Sequence, residues 1–408
     1  MKCFCVRTVA ACGVLLAVTV DQLGAADWPQ FRGHPGASAE DVSAPPTAWG
    51  DGKNIAWTAE LEGRGVSSPI VIGDRVFLTS CTGPEQERLH VICFDIRTGR
   101  RVWERQFWAT GSTSCHPKTC VAAPTPATDG RRIFAFYSSN DLACLDREGR
   151  LLWFRGLTYD FPQARISLGM ASSPVVTDET VVVQVEADTD AFAMGLDVDT
   201  GATRWKLDRH RRANWCSPIV WERDATAERL VVLQASNGVW VVRPRTGDLI
   251  ARYDEGASTI SSSSAFGHLL LVPSNGLTAL KLPQSGSELE TVWRQNRLRP
   301  TTCSPLVYKD HVYVISGSIL KCADPRTGRI RWQLRLRGPF SSSPVAAGGY
   351  LYVFNEDGVG FVVELGPRGR IVSQNPMNET ILATPALIDG GLLIRSDRHL
   401  WKIASKPQ

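Results

Sequence analysis

The sequence predicts an all-β fold: an eight-bladed β-propeller of four-stranded antiparallel blades, closed by an N-terminal strand that completes the last blade. Three observations carry this expectation. One hairpin motif recurs along the chain, a second motif precedes each hairpin, and the last unit lacks a strand that the first has in excess. Repeats with a period of tens of residues mark solenoids and propellers before any local reading begins.

The hairpin motif is clearest at Cys322–Trp332, CADPRTGRIRW: a small residue, Asp two later, Thr-Gly, then Trp. It recurs at Cys93–Trp103 and Gly195–Trp205, one residue shorter at Cys144–Trp153, and without its Trp at Val241–Ala251. Traces remain at Pro283–Trp293 and Val363–Ser373. One strand ends at the Asp, Gly supplies the positive φ of a tight turn, and the next strand carries a large aromatic. Trp57, Trp103, Trp153, Trp205, Trp293 and Trp332 are therefore read as structural.

The second motif is a small polar pair, Pro and a β-branched run. It reads Ser67-Ser-Pro-Ile, Pro124-Thr-Pro-Ala, Ser172-Ser-Pro-Val, Cys216-Ser-Pro-Ile, Ser262-Ser-Ser-Ala, Cys303-Ser-Pro-Leu, Ser342-Ser-Pro-Val and Ala383-Thr-Pro-Ala, spaced 39 to 57 residues apart. With a further apolar strand before each hairpin, every unit holds four short strands, the content of a propeller blade. The last unit stops after His399–Ile403, while Ile55–Leu61, with Trp57, stands unpaired ahead of the first. Joining the two removes an exposed sheet edge. With strands A to D running outward, the tight A–B and C–D turns share one face, and the variable B–C and D–A loops the other.

Ahead of the propeller, residues 1–26 read as a secretory signal peptide. Lys2 and Arg7 precede the apolar run Val9–Val20, and Gly24-Ala25-Ala26 offers a cleavage site near Ala26. The protein is expected to be exported, periplasmic or extracellular. The run is too short for a membrane span, and no second one follows. Residues 27–54 form an irregular segment whose Trp28-Pro-Gln-Phe-Arg-Gly33 should lie across the propeller and bury Trp28 and Phe31. Residues 55–408 are one propeller domain, expected as a monomer. A formal charge of +4 without a basic run gives no support to nucleic-acid binding.

On the variable face, units four to eight have short B–C turns. Units one to three carry longer segments: Thr82–Arg88, Gln106–Ala122, Phe154–Ala171, Ala187–Ala191 and Arg209–Trp215. Long loops on a rigid scaffold are where binding concentrates. The candidate ligand-binding residues are His116, Asn140, Asp141, Tyr159, Asp160, Arg165, Glu186, Asp188, Asp190, Asn214 and Trp215. Carboxylates, amides and aromatics of this kind suit a sugar, a peptide or an oxygen-ligated metal. The competing reading is structural, with these groups tying the loops together. No Gly-x-Ser-x-Gly, His-Glu-x-x-His or phosphate loop occurs, so no catalytic residue is assigned. Eight cysteines remain beyond residue 26. Five occupy equivalent places in separate blades, too far apart for bridges. Cys115 with Cys120, or either with Cys81, is the reasonable pair.

With its Trp hairpins and eight marks, the chain over residues 55–403 resembles the pyrroloquinoline-quinone-like (PQQ-like) β-propeller repeat family, whose tryptophan-docking motif the hairpin matches. The Trp28–Gly33 opening resembles that of exported propellers of planctomycete type. The resemblance implies the fold and leaves three functions open. The first is a non-catalytic binding or scaffold protein that holds a protein or glycan partner on the loop-rich face of blades 1–3. The second is a small quinone-dependent dehydrogenase using PQQ with calcium. The third is an envelope assembly scaffold. Quinone dehydrogenases hold their cofactor under a vicinal cysteine pair, absent here, and no calcium triad is recognisable. No cofactor and no metal are therefore expected.

Overall fold

Eight four-stranded antiparallel sheets make up the fold, each with its shortest strand innermost. The computed structural model describes Met1 and residues 27–34, 42–50, 52–165, 167–222 and 228–405. Apart from Met1, the expected leader and its cleavage site lie outside the described residues. Blades 1 to 7 cover residues 70–108, 127–156, 175–208, 219–253, 264–295, 306–335 and 345–376. Blade 8 combines Ala386–Ile388, Gly391–Arg395 and His399–Ala404 with Ile55–Glu60, whose Trp57 lies opposite Lys402. Middle strands such as Thr180–Glu186, TVVVQVE, are buried throughout, and their β-branched residues suit a sheet covered on both faces.

Neighbouring blades are joined by indole rings. Trp57 Nε1 donates to Ile96 O at 3.0 Å, Trp103 to Arg147 O at 2.8 Å, and Trp153 to Val198 O at 3.0 Å. Trp205 donates to Pro244 O at 2.7 Å, Trp293 to Pro325 O at 2.9 Å and Trp332 to Gly366 O at 3.0 Å. Each Trp of one blade thus caps the C–D turn of the next. The turn glycine is needed twice over. Gly149 sits at φ +81°, and a Cβ there would stand 2.7 Å from the Trp103 ring. The turn's Asp is explained likewise, since Asp95 Oδ1 accepts from Arg97 N, Thr98 N and Thr98 Oγ1. Blade 4 lacks the outer Trp, and its inner-strand Trp221 instead donates to Gly267 O of blade 5 at 2.9 Å.

One register differs from expectation. The mark of the fifth unit, read as starting at Ser262, starts at Ser261, because the inner strand begins at Ser264 and Ser263 takes the place of the usual Pro. With Pro replaced by Ser in a run of four serines, nothing local fixes the phase.

Candidate functional site

The second hydroxyl residue of every mark points to the propeller axis. Ser68 N donates to Thr125 Oγ1, Thr125 N to Ser173 Oγ and Ser173 N to Ser217 Oγ, at 2.9, 3.0 and 2.9 Å. Ser217 N, Ser262 N, Ser304 N and Ser343 N continue to Ser262, Ser304, Ser343 and Thr384, each at 3.0 Å. The ring lies just where each inner strand starts, and all eight hydroxyl residues line one axial cavity of about 390 Å³. The seven hydroxyls from Thr125 to Thr384 each accept from the preceding blade's backbone and keep their own O–H to donate.

Below the ring, the chain plugs its own tunnel. Trp28 pairs with Val71 through N–H···O bonds of 2.9 Å in both directions, and Thr128 N donates to Pro29 O at 2.9 Å. On the far side, Arg32 donates to Ser263 O at 2.9 Å, Ser264 Oγ at 2.8 Å and Pro305 O. The segment thereby spans the tunnel from blades 1 and 2 to blades 5 and 6. Trp28 is buried, as expected, whereas Phe31 is half-buried because it forms part of the cavity lining. Burial pulls the Arg32 guanidinium down to about 9, since its partners are neutral oxygens. The result is a cup with a closed floor.

The cup's wall comes from the long D–A loops. Residues 109–126 arch over the mouth, with Lys118 Nζ reaching Glu356 Oε2 of blade 7 at 2.8 Å. His116, Leu168, Trp215 and Ile260 line the opening. Beside the arch lies a polar groove of about 780 Å³ lined by Glu85, Gln86, Thr110, Ser112, Thr158 and Arg165. Trp108 and Tyr159 stand out from this face, 63% and 79% exposed.

Among the candidate residues, the structure brings only His116 and Trp215 to the cup and Arg165 to the groove. His116 Nδ1 accepts from Lys118 N at 3.1 Å, Trp215 Nε1 donates to Gly169 O at 2.7 Å, and Arg165 Nε donates to Pro162 O at 3.0 Å. Buried Asn140 donates to Ala164 O at 2.7 Å. Asp141 accepts from Thr110 N at 2.9 Å, Thr110 Oγ1 at 2.5 Å and Ser139 Oγ at 2.6 Å, and burial raises its carboxyl above the usual range. Glu186 and Arg209 form an ion pair at 2.8 Å with both side chains 1% exposed. Asn214 Nδ2 donates to Glu186 Oε2 and to Gln234 O, both at 2.8 Å. At the rim Asp160 pairs with Arg155, Asp188 accepts from Ala213 N at 3.2 Å, and Asp190 accepts from Ala191 N at 3.0 Å. Sequence reasoning missed the hydroxyl ring, although every mark contained its member, and it missed Arg32 inside Trp28–Gly33.

The Cys115–Cys120 bridge is not formed. All eight described cysteines are free thiols. Cys115 Sγ turns to Ser138 Oγ at 3.9 Å, while Cys81 Sγ donates to Arg64 O and Gln86 Oε1, each at 3.2 Å. Among the described residues no group of His, Cys, Asp and Glu is arranged to hold a metal ion, and no helix is long and apolar enough to cross a membrane.

A family model described as outer membrane protein assembly factor BamB matches residues 46–169, 116–270, 283–368 and 316–406. A search of the curated proteins finds no match. Among solved structures, BamB from Moraxella catarrhalis aligns with a TM-score of 0.62 at 18% identity, covering 87% of this chain and 98% of that one. A europium-containing methanol dehydrogenase aligns at 0.70 with 12% identity, covering 91% and 90%. The quinohemoprotein alcohol dehydrogenase from Comamonas testosteroni aligns at 0.70 with 12% identity, covering 94% and 81%. At these identities the structural likeness shows the fold alone. The cup itself does not fit a calcium-held quinone, because its lining supplies hydroxyls, His116 and Lys118 but no carboxylate or carboxamide for a hard cation.

Proposed function

This chain belongs to the PQQ-like repeat family described as outer membrane protein assembly factor BamB, and on that premise we propose that it is an exported, non-catalytic scaffold that holds a protein partner on its long-loop face. The observation that carries the reading is the plug. Residues 27–34 close the tunnel beneath the cup, so the cup and its arch form a rigid, one-sided docking surface. Exposed Trp108 and Tyr159, with Leu168 and Ile260 at 45% and 50% exposure, supply the aromatic and aliphatic anchors that dominate protein interfaces. The matched family's description favours a protein over a glycan.

The test uses a photo-crosslinking residue placed at Tyr159 on this face, or at Arg147 on the opposite face, in the exported chain. Adducts from position 159 and none from 147 are expected. Equal labelling from both faces would overturn the docking reading. Uptake of quinone with calcium by the purified protein, accompanied by dye reduction with alcohols or sugars, would establish the dehydrogenase instead.

A further inference from the structure

The hydroxyl ring at the bottom of the cup holds more donors than the protein uses. Its eight residues are buried, at 1% to 5% exposure, and all of them line the axial cavity. Seven spend an acceptor site on the preceding blade's N–H, and none of the eight donates its own O–H to a protein acceptor among the described residues. Thr119, from the arch, lines the same cavity, and its buried Oγ1 has no hydrogen-bond partner. An unmet buried donor is costly, so converging O–H groups of this number favour an acceptor on the axis.

The charge beneath the ring has the sign that an anionic acceptor needs. Arg32 bonds Ser263 O, Ser264 Oγ and Pro305 O, which follow the ring members Ser262 and Ser304 directly and are all neutral. The cavity lining contains no carboxylate. Glu356, at the rim, is already engaged by Lys118 Nζ and by Ser341 Oγ, each at 2.8 Å. Above the ring the wall turns apolar, with Val66, Leu168, Trp215, Ile260 and Leu382. The Trp215 N–H is committed to Gly169 O, which leaves the indole to the apolar wall. The cup thus suits a ligand that is anionic at its deep end and apolar above.

Shape narrows the ligand further. The plug closes the floor, so a chain cannot pass through. The cavity of about 390 Å³ equals roughly a dozen waters at about 30 Å³ each, which suits a chain that ends and not a loop that must enter and return. We propose that the cup receives the C-terminal residue of the docked partner protein, with its carboxylate among the ring hydroxyls and an apolar side chain against Leu168, Trp215 and Ile260. The inference rests on the docking reading and names the part of the partner that is held. Capture of a terminal carboxylate by converging donors is a known mode of peptide recognition, and bonds to an ionised acceptor are the strong ones. An N-terminal ammonium would instead set a cation among donors above Arg32.

The test titrates the full-length protein with the tetrapeptide Gly-Ser-Gly-Leu, labelled at its N-terminus with a fluorophore and ending in either a free carboxylate or an amide. Parallel series end in Ile, Val or Phe, and fluorescence anisotropy reads the affinities. For at least one series the acid should bind about tenfold more tightly than its amide. Ser68→Ala should weaken the acid about threefold and leave the amide unchanged. Leu168→Glu, at a side chain 45% exposed, should weaken the acid about tenfold through like charge. Neither substitution removes a protein hydrogen bond of the side chain, and the wild-type ratio of acid to amide decides the matter even if a variant fails to fold. Equal affinity of acid and amide in every series, or no binding of any acid at millimolar concentration, would overturn the inference. So would a small carboxylic acid released in stoichiometric amount when the freshly purified protein is denatured, since that would assign the cup to a free metabolite. The docking reading is judged separately, by the crosslinks from position 159, which equal affinities would leave standing.

Discussion

Replacing Glu186 by Gln tests whether the third blade's long loop is held by a desolvated ion pair. Glu186 accepts from Arg209 and Asn214 at 2.8 Å each, and both charged side chains are 1% exposed. Unit charges about 4 Å apart attract by about 4 kcal/mol at an effective dielectric near 20. The Gln variant keeps the shape and one acceptor, but it turns its amide nitrogen toward the Asn214 amide and leaves Arg209 buried without a counter-charge. A loss of about 3–5 kcal/mol is expected, the range for removing one member of a buried pair. Arg209→Met should cost about as much, with a share from lost stacking on Trp240, whose ring centre lies 4.5 Å from the guanidinium carbon. The double variant should recover much of the loss, because it leaves neither charge buried without its partner. Urea unfolding of the four proteins at neutral pH measures the cycle. A cost below about 1 kcal/mol for Glu186→Gln, or simple additivity in the double variant, would refute the reasoning.

Three further outcomes are open to measurement. Burial works against ionisation of Asp197, but hydrogen bonds from Arg204 and Thr200 hold its carboxyl down to about 2. That depressed value contributes stability above the unfolded value near 4 that is lost as pH falls toward 2, and Asp197→Ala should remove about 1 kcal/mol of this acid-side slope after allowance for solvent screening. Trp103→Ala should cost about 3 kcal/mol by emptying a packed site. Gly149→Ala should cost about 2 kcal/mol from its left-handed φ and the clash with the ring. Combined, the two should cost less than their sum, because the clash disappears with the indole. Thr125→Val should cost about 2 kcal/mol by orphaning Ser68 N–H, and hydrogen exchange should quicken at Ser68 while Ser173 stays protected.

The blades were legible in the sequence because each motif is local. A Trp, its turn Gly and the capping Asp lie within about ten residues, and the period of the marks supplies the rest. The fifth mark slipped by one because Ser263 stands where a Pro would have set the phase. Loop polarity was a poor guide to the site. Asn140, Asp141, Glu186 and Asn214 have the chemistry of ligand-binding residues, yet a buried loop must satisfy its backbone and charges from within, and that is where they are spent. Whether a polar side chain faces the loop or the axis depends on contacts made across blades, as between Gln184 and Gln234, 50 residues apart, and no short window of sequence contains both. Arg32 was hidden for the same reason, since its acceptors lie 231 to 273 residues away.

The N–H to hydroxyl links around the axis all run from a blade to its successor. The collar therefore has a sense of rotation, like a one-way street. Loss of a hydroxyl from Thr125 to Thr384 orphans the N–H of the blade before it and leaves its own N–H bonded to the blade after it.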